Sequence, residues 1–409
     1  MSTKLSTTLK WLFGSLLVIC VLLVALYADN IKRLYVAVTL YDEDKIAHNF
    51  VNMREAFNVT TLQPSQQPMR FPTDLEPVPR DLVIATENRN EVLLGFLESS
   101  RTTGFLIVHK GKIVDEYYGE TGAADRQHIS FSMAKSVVSS LMGIAVEQGL
   151  INSIEETVTD YVPELANSGY DGVRIKDVLQ MSSGVRFNED YGDFNSDINR
   201  FSRAIAFGTS LDDFTASLNR EREPGVFHHY VSIDTQVLGM ILVRATQRSL
   251  TDLAQNWLWE PLGMEDLGYW LSDDSGMELA LGGLNLTARD YAKFGWLYAN
   301  NGQVNGEQVI PREWVQSSVT PDAPHLQPGE NPLSSSWYGY GYQWWIPPGS
   351  DDEFVAQGIY HQYIYVDPDA QLVIVKTSAN HKYNDRAENW AARHLAMFRS
   401  IGEYYANNP

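Results

Sequence analysis

Ser132-Met133-Ala134-Lys135 places a serine hydroxyl and a lysine amine three residues apart. On an α-helix this spacing brings both side chains to one face, about 5–6 Å apart at Cβ. A serine becomes an effective nucleophile when a base takes its proton, and a lysine can be that base when burial lowers its pKa from about 10.4 toward 7. The motif therefore predicts a Ser132 nucleophile with Lys135 as base. The structural alternative is a helix-capping serine beside a surface lysine.

Tyr230 is a candidate for the third member of this set, because it follows a proline-glycine turn and opens an apolar stretch of helical spacing. A tyrosine there could relay a proton between the nucleophile, the lysine and a leaving group. Packing is the usual role of the chain's 21 tyrosines, so it is the position at a helix entrance that selects Tyr230. We interpret the adjacent His228 and His229 as surface polar residues rather than metal ligands.

Two local elements must position the serine and the lysine. Residues 104–118 alternate around a Lys-Gly-Lys turn, which predicts two strands joined by a tight hairpin. From Ser132 onward apolar residues recur at helical spacing as far as Gly149, which predicts a buried helix that begins at the serine. The first N–H groups of such a helix suit a developing oxyanion.

In the rest of the chain, the sequence pattern predicts strands near both ends and helices in the middle. A helix is expected over residues 91–99, mixed helices and loops over about 150–275, three strand-rich stretches from residue 338, and a closing helix over 385–398. We therefore expect the α/β class, of the α+β type: an antiparallel sheet flanked by helices, beside an all-helical region.

Residues 11–28 contain no charge, and as a helix they would be about 27 Å long, enough to span a bilayer core. This predicts an N-terminal transmembrane helix that acts as an uncleaved signal anchor. A cleaved signal peptide and a buried helix are the alternatives. The chain would then cross the inner (cytoplasmic) membrane once, with the catalytic domain outside the cytoplasm.

The expected domain organisation follows from that segment. A short tail (1–10) precedes the anchor (11–28), a linker and pre-domain segment with a proline-rich second half covers 29–80, and the catalytic domain covers 81–409.

Composition excludes several classes of protein. The net charge of −20, from 51 acidic and 31 basic residues, argues against nucleic-acid binding. The only cysteine, Cys20, lies within the apolar N-terminal run, so the folded part has no disulfide framework and no cysteine nucleophile. The G-x-S-x-G elbow of α/β-hydrolases and the H-E-x-x-H zinc motif are both missing. No metal or organic cofactor is implied.

Several stretches, in order, resemble the serine β-lactamase and penicillin-binding superfamily, more narrowly its class C-like branch with esterases and 6-aminohexanoate-dimer hydrolases. The resemblance covers about residues 103–380. Besides the Ser-x-x-Lys motif and Tyr230, it is carried by VRIKDVLQMSSGVRF (173–187), LGGLNLTARDYAKFG (281–295), YGYQWWI (340–346) and GIYHQYIYVDP (358–368).

The resemblance implies an acyl-transfer site. Ser132 would be acylated, Lys135 would share its proton, and Tyr230 would act first as base and then as acid. The backbone N–H groups of Ser132 and Ile359 would form the oxyanion hole, each donor being worth about 2.7–4 kcal/mol in the transition state. Five further residues would contact the substrate: Tyr191, Ser232, Asn285, Trp345 and Gly358.

Departures from the family pattern narrow the expected substrate. Ala356 stands where the family carries the cation that meets a β-lactam carboxylate, and Ser232 replaces the usual class C asparagine. The triplet 376–378 (Lys-Thr-Ser) imitates the missing motif but lies on the following strand. We therefore expect a serine hydrolase acting on esters or small linear amides. The alternatives are a penicillin-binding D-peptidase or β-lactamase, and a catalytically inactive, membrane-tethered binding protein.

Overall fold

The computed structural model of the chain describes residues 7–86, 89–206, 209–349 and 352–408. The strands are β1 (Asn58–Leu62), β2 (Val83–Thr86), β3 (Arg89–Val92), β4 (Thr102–His109), β5 (Lys112–Tyr118), β6 (His128–Ile129), β7 (Gly268–Ser272), β8 (Leu284–Leu286), β9 (Gln303–Val304), β10 (Glu307–Gln308), β11 (Gly339–Tyr340), β12 (Trp345–Ile346), β13 (Phe354–Gly358), β14 (Gln362–Asp367) and β15 (Leu372–Ser378).

The α-helices are α1 (Thr7–Leu26), α2 (Ala28–Thr39), α3 (Ile46–Phe50), α4 (Leu93–Ser99), α5 (Ala134–Glu147), α6 (Val158–Tyr161), α7 (Ile175–Leu179), α8 (Asp197–Ala206), α9 (Leu211–Ala216), α10 (Ser232–Thr246), α11 (Leu250–Ala254), α12 (Glu260–Leu262), α13 (Ala288–Ala299), α14 (Arg312–Ser318) and α15 (Trp390–Asn407).

A seven-stranded antiparallel sheet joins β4 and β5 to the strands that follow residue 338, in the order β11-β12-β13-β14-β15-β4-β5. The predicted hairpin is confirmed, since β4 and β5 pair directly. Its turn residues Lys110 and Gly111 both have positive φ (51° and 75°), as the twist of a two-residue hairpin requires. Strand β15 pairs with β4, so the predicted sheet built from both chain ends is confirmed.

Helices cover both faces of this sheet. Side chains alternate across each strand: Phe105 and Ile107 of β4 belong to the cluster that packs under α4 and α15, whereas Leu106 and Val108 belong to the main core, which also contains α13. Gly295 of α13 allows close contact with the sheet, because a Cβ there would lie 2.7 Å from a methyl group of Val373.

An all-helical region built around α5 and α10 adjoins the sheet, as predicted, and its core is continuous with the main core. Helix α5 begins just after a 3₁₀ turn over Phe131–Met133. The closing helix begins later than expected: Asn389 adopts a left-handed conformation (φ 46°) that separates a short 3₁₀ turn from α15.

The predicted fold class was wrong in one respect, the N-terminal transmembrane helix. Within the described residues, no helix is both long and apolar enough to cross a membrane. The predicted span over 11–28 is divided, because α1 ends at Leu26 and α2 begins at Ala28. The expectation of an N-terminal transmembrane helix was therefore wrong. Residues 1–6 of the expected tail lie outside the described residues.

The segment over 29–80 makes extensive contacts with the rest of the chain. Helix α2 packs against α8, Ile46 and Phe50 of α3 are fully buried, and β1 pairs with β7 along its whole length. The boundary between this segment and a domain beginning at residue 81 stays a prediction.

Candidate active site

Ser132 lies on the 3₁₀ turn that leads into α5 and is 9% exposed. The end of β13 packs directly against this turn: a Cβ on Gly358 would lie 2.5 Å from the Ser130 carbonyl oxygen and 3.0 Å from the Ser132 nitrogen. Only glycine permits so close an approach of two backbones. Gly358 thereby brings the next residue, Ile359, beside Ser132, and both line one cavity.

The loop that carries Ile359 is fixed by Gln362. The Gln362 amide donates hydrogen bonds to the carbonyls of Ile359, Tyr360 and Ser378, at 3.2, 3.2 and 2.7 Å, and its oxygen accepts one from the Ser378 N–H at 3.0 Å. This anchors the turn to β15, so the backbone beside Ser132 is held by hydrogen bonds within the sheet.

Lys135 lies one helical turn beyond Ser132 and is 1% exposed. Its Nζ donates a 2.6 Å hydrogen bond to the Leu281 carbonyl and lies 5.6 Å from the centre of the Tyr230 ring. Burial lowers the pKa of Lys135 to about 7, although the negative charges of Glu189 and Asp234 oppose the shift. A substantial fraction of Lys135 is therefore neutral near pH 7 and able to accept a proton.

Two buried carboxyl groups face Lys135. Burial raises the pKa of Asp234 to about 7, and Tyr170 and Ser183 each donate a 2.8 Å hydrogen bond to its Oδ1. Burial also raises the pKa of Glu189, whose Oε1 accepts a hydrogen bond from the Ser232 N–H at the start of α10. These groups form a polar cluster on one side of Ser132.

Tyr230 lies immediately before α10, with its hydroxyl within hydrogen-bonding reach of the Ser132 side chain. Its ring stacks on Trp345 at a centroid distance of 5.1 Å and meets the edge of Tyr340 at 6.3 Å. Burial, reinforced by the charge of Glu189, raises the pKa of Tyr230. Tyr230 is therefore a neutral phenol at physiological pH.

Gln343 connects the elements that carry these groups. It accepts hydrogen bonds from Ser136 of α5 (2.7 Å, to its backbone oxygen) and from Thr235 of α10 (2.7 Å, to its side-chain oxygen). Its amide donates to the Leu179 carbonyl of α7 at 2.7 Å. Because all three side chains are buried, these bonds fix the position of α5 relative to α10, and therefore of Lys135 relative to Tyr230.

The five predicted substrate-contact residues divide into groups. Tyr191 lines the cavity with Ser132, and Trp345 lies beside Tyr230. Gly358 touches the serine turn, and Ser232 is fully buried at the start of α10. Asn285 lies apart: it is fully buried on β8, donates to the Gly283 carbonyl at 2.8 Å, and is not among the described residues that line the cavity.

Asn285 does not cap the following helix either, because Thr287 caps α13 by accepting a hydrogen bond from the Asp290 N–H.

Glu189 and Asp234 were not predicted as site residues from the sequence. Asp234 could have been noticed as an acidic residue in the first turn of an otherwise apolar helix, two residues after Ser232. Glu189 is followed by a second acidic residue, and no local pattern distinguishes the half-buried Glu189 from its exposed neighbour Asp190.

Taken together, the geometry can perform nucleophilic acyl transfer. A hydroxyl at the entrance of a cavity is paired with a buried lysine of lowered pKa and a neutral phenol. A nucleophile, a base and a proton relay within reach of one another are the components that covalent catalysis requires.

Comparisons with known proteins agree with this chemistry. The family model described as Beta-lactamase matches residues 95–398. Among curated proteins, 6-aminohexanoate-dimer hydrolase from Paenarthrobacter ureafaciens is 31% identical over 315 residues, which cover 75% of this chain and 79% of that enzyme.

Solved structures show the same fold. A proposed 6-aminohexanoate-dimer hydrolase from Bacillus anthracis superposes with a TM-score of 0.80 at 24% identity, covering 90% of this chain and 96% of its own. EstCE1, a hydrolase with promiscuous acyltransferase activity, superposes with a TM-score of 0.55 at 15% identity, covering 71% and 94%.

Proposed function

The chain belongs to the β-lactamase family and is a serine hydrolase, and from this premise we propose that it cleaves esters or small linear amides through an acyl-enzyme on Ser132. The observation that carries the proposal is the position of Ser132, at a cavity wall and within reach of Tyr230, one helical turn before a lysine whose pKa is about 7. The 31% identical relative is named for hydrolysis of an amide dimer, which supports the amide part.

In the proposed first step, the Ser132 oxygen attacks the substrate carbonyl and its proton passes to neutral Lys135, directly or through the Tyr230 hydroxyl. The oxyanion is held by the N–H groups of Ser132 and Ile359. Collapse of the tetrahedral intermediate breaks the bond to the leaving alcohol or amine, which takes the proton through Tyr230. Water then attacks the acyl-enzyme and gives one proton to the same base. Collapse of this second tetrahedral intermediate breaks the bond to the Ser132 oxygen, which takes that proton back from the base as the acid is released.

The experiment is a burst-phase assay of the full-length chain with p-nitrophenyl acetate, followed by mass spectrometry of the trapped protein. We expect a burst of p-nitrophenol and an acetyl adduct on Ser132, and we expect Ser132→Ala to abolish both. Ser378→Ala is the matched control, because Ser378 is a fully buried serine that also lies beside a lysine.

Equal turnover by Ser132→Ala and the native chain would remove Ser132 from the mechanism. Folding of each variant is checked by circular dichroism, so that a loss of activity is not confused with a loss of structure. Nitrocefin, run in parallel, tests for β-lactamase activity, which the proposal expects to be weak.

A further inference from the structure

A cavity of about 450 Å³ is lined in part by Ser132, and Lys135, Glu189 and Asp234 are not among the described residues that line it. Its size is that of a small-molecule site. Helix α2 forms one wall and α8 the other, and the two helices pack against each other. The apolar wall residues on these helices are Leu34, Ala37, Val38, Ile198, Phe201 and Ile205, and Asn199, Ser202 and Arg203 of α8 also line the cavity.

The floor of the cavity is also apolar. It is formed by buried side chains of β6, β7 and the loop before β8, together with Met53. The floor residues from the strands and loop are Ile129, Leu271, Leu279 and Leu281. An apolar group that enters this cavity leaves water and contacts apolar side chains of the walls and the floor. Burial of its surface there contributes favourably to the free energy of binding.

Charge is nearly absent from the lining. Of the described residues that line the cavity, Arg203 alone carries a charge, and no carboxylate is among them. The Arg203 guanidinium is already engaged: it donates a 2.6 Å hydrogen bond to the Phe194 carbonyl and stacks 4.0 Å from the centre of the Phe194 ring. A cationic chain end inside this cavity would be left without a counter-ion, which is costly.

The position of Tyr230 indicates which part of a substrate enters. A leaving group must reach its proton donor, and Tyr230 and Trp345 lie on the side of the polar cluster, outside the cavity lining. Ile359, the proposed oxyanion donor, lines the cavity. The acyl group of a carbonyl bound to Ser132 is therefore directed into the cavity while the leaving group stays near Tyr230.

From these observations we infer that the cavity is an acyl-chain pocket, and that the preferred substrates carry an uncharged aliphatic acyl group of about eight to ten carbons. The inference rests on the proposed function, which it deepens. A methylene occupies about the volume of one water molecule, roughly 30 Å³. The 450 Å³ cavity therefore accommodates a chain of this length and still leaves room for imperfect packing.

The test is to assay the full-length chain with a series of p-nitrophenyl esters. The acyl group lengthens from acetate to decanoate, and the p-nitrophenol leaving group stays the same. Burying one methylene contributes up to about fourfold in affinity. We expect kcat/KM to rise at least about a hundredfold from acetate to octanoate, six methylenes in all. We also expect the 8-aminooctanoyl ester to react at least about tenfold more slowly than the octanoyl ester, because its ammonium group has no partner in the pocket.

Two tryptophan variants of α2 separate filling of the pocket from a general effect on that helix. Ala37→Trp places a large side chain in the cavity from its wall, and should lower the octanoate-to-acetate ratio of kcat/KM at least about tenfold. Ile31→Trp introduces the same side chain on the same helix at an exposed position outside the cavity lining, and should leave the ratio unchanged.

The outcomes distinguish this inference from the function on which it rests. Ser132-dependent hydrolysis of acetate with a flat chain-length profile would overturn the acyl-chain pocket and leave the proposed function intact. A preference that follows the length of the alcohol in alkyl acetates would also overturn it, because the chain would then occupy the leaving-group side. Absence of Ser132-dependent hydrolysis of every ester would overturn both.

Discussion

Two buried lysines, each near a serine, make an instructive comparison. Lys135 lies on α5 one turn after Ser132, and Lys376 lies on β15, where it donates to the Ser378 hydroxyl. Both are essentially inaccessible to solvent, and burial lowers the pKa of both. By lysine burial and by the direction in which burial moves the lysine pKa, the two pairs are alike.

Their surroundings differ. Lys135 faces the two carboxyl groups of the polar cluster, and its serine lines a cavity of about 450 Å³. Lys376 lies 5.9 Å from the centre of the Phe96 ring, near His361 and His394, whose pKa values burial lowers. Neither Lys376 nor Ser378 is among the described residues that line this cavity. Burial lowers the pKa of a lysine in either surrounding. We propose that the pair can act on a substrate only where a cavity gives that substrate access to the serine.

Methionine substitutions should produce the largest difference between the two lysines. Lys135→Met removes the proposed base and should lower kcat/KM for p-nitrophenyl acetate by roughly 10³-fold, within the range for general acid–base catalysis. Lys376→Met replaces a buried amine by an apolar side chain of similar length and should change kcat/KM less than about threefold. A twofold loss in Lys135→Met would mean that another group acts as base.

The difference between these lysines also marks how far a sequence can predict a site. The proximity of Ser132 and Lys135 was predictable because their spacing is local, although α5 begins at Ala134, two residues after the predicted start at Ser132. The cavity beside them was not, because α2 belongs to a stretch that reads as membrane anchor and linker, and it meets α8 only through a contact across more than 150 residues. Local periodicity carries no information about such a contact.

The same reasoning applies to the fold. Hairpin β4–β5, helix α10 and the late strands each follow from a local pattern of alternation or helical spacing. The strand β1 could not be predicted in this way. It is stabilised by pairing with β7, which is distant in the sequence, and it lies next to a proline-rich stretch. The β-branched residues Val59, Thr60 and Thr61 favour a strand, but it is the pairing with β7 that gives this short segment a place in a sheet.

Tyrosine substitutions should produce the next largest effect. Tyr230→Phe removes the hydroxyl near Ser132 while retaining the ring that stacks on Trp345, and should lower kcat/KM about 10²-fold. Tyr340→Phe is the matched control, because that buried ring contacts Tyr230 edge-on and its loss of a hydroxyl tests packing alone. Equal losses in the two variants would assign the effect to packing and not to proton transfer.

The smallest expected effect concerns pH. If neutral Lys135 is the base, kcat/KM should fall about tenfold per unit below its pKa of about 7 and reach a plateau above it. Asp234, whose pKa is also about 7, could produce a similar limb. The two are separable because the negative charge of Asp234 favours the ammonium form of Lys135, so that removing it must lower the pKa of the lysine.

Asp234→Asn should therefore retain the acid limb of the pH profile and move it to lower pH, by on the order of one unit for a neighbouring buried charge. The measurement is kcat/KM for p-nitrophenyl acetate between pH 5 and 9, corrected for spontaneous hydrolysis. Disappearance of the limb in Asp234→Asn would assign the titration to the aspartate itself. Lys376→Met should leave the acid limb of the pH profile at the same pH. Lys376 lies apart from Ser132, so its protonation does not affect proton transfer at that serine.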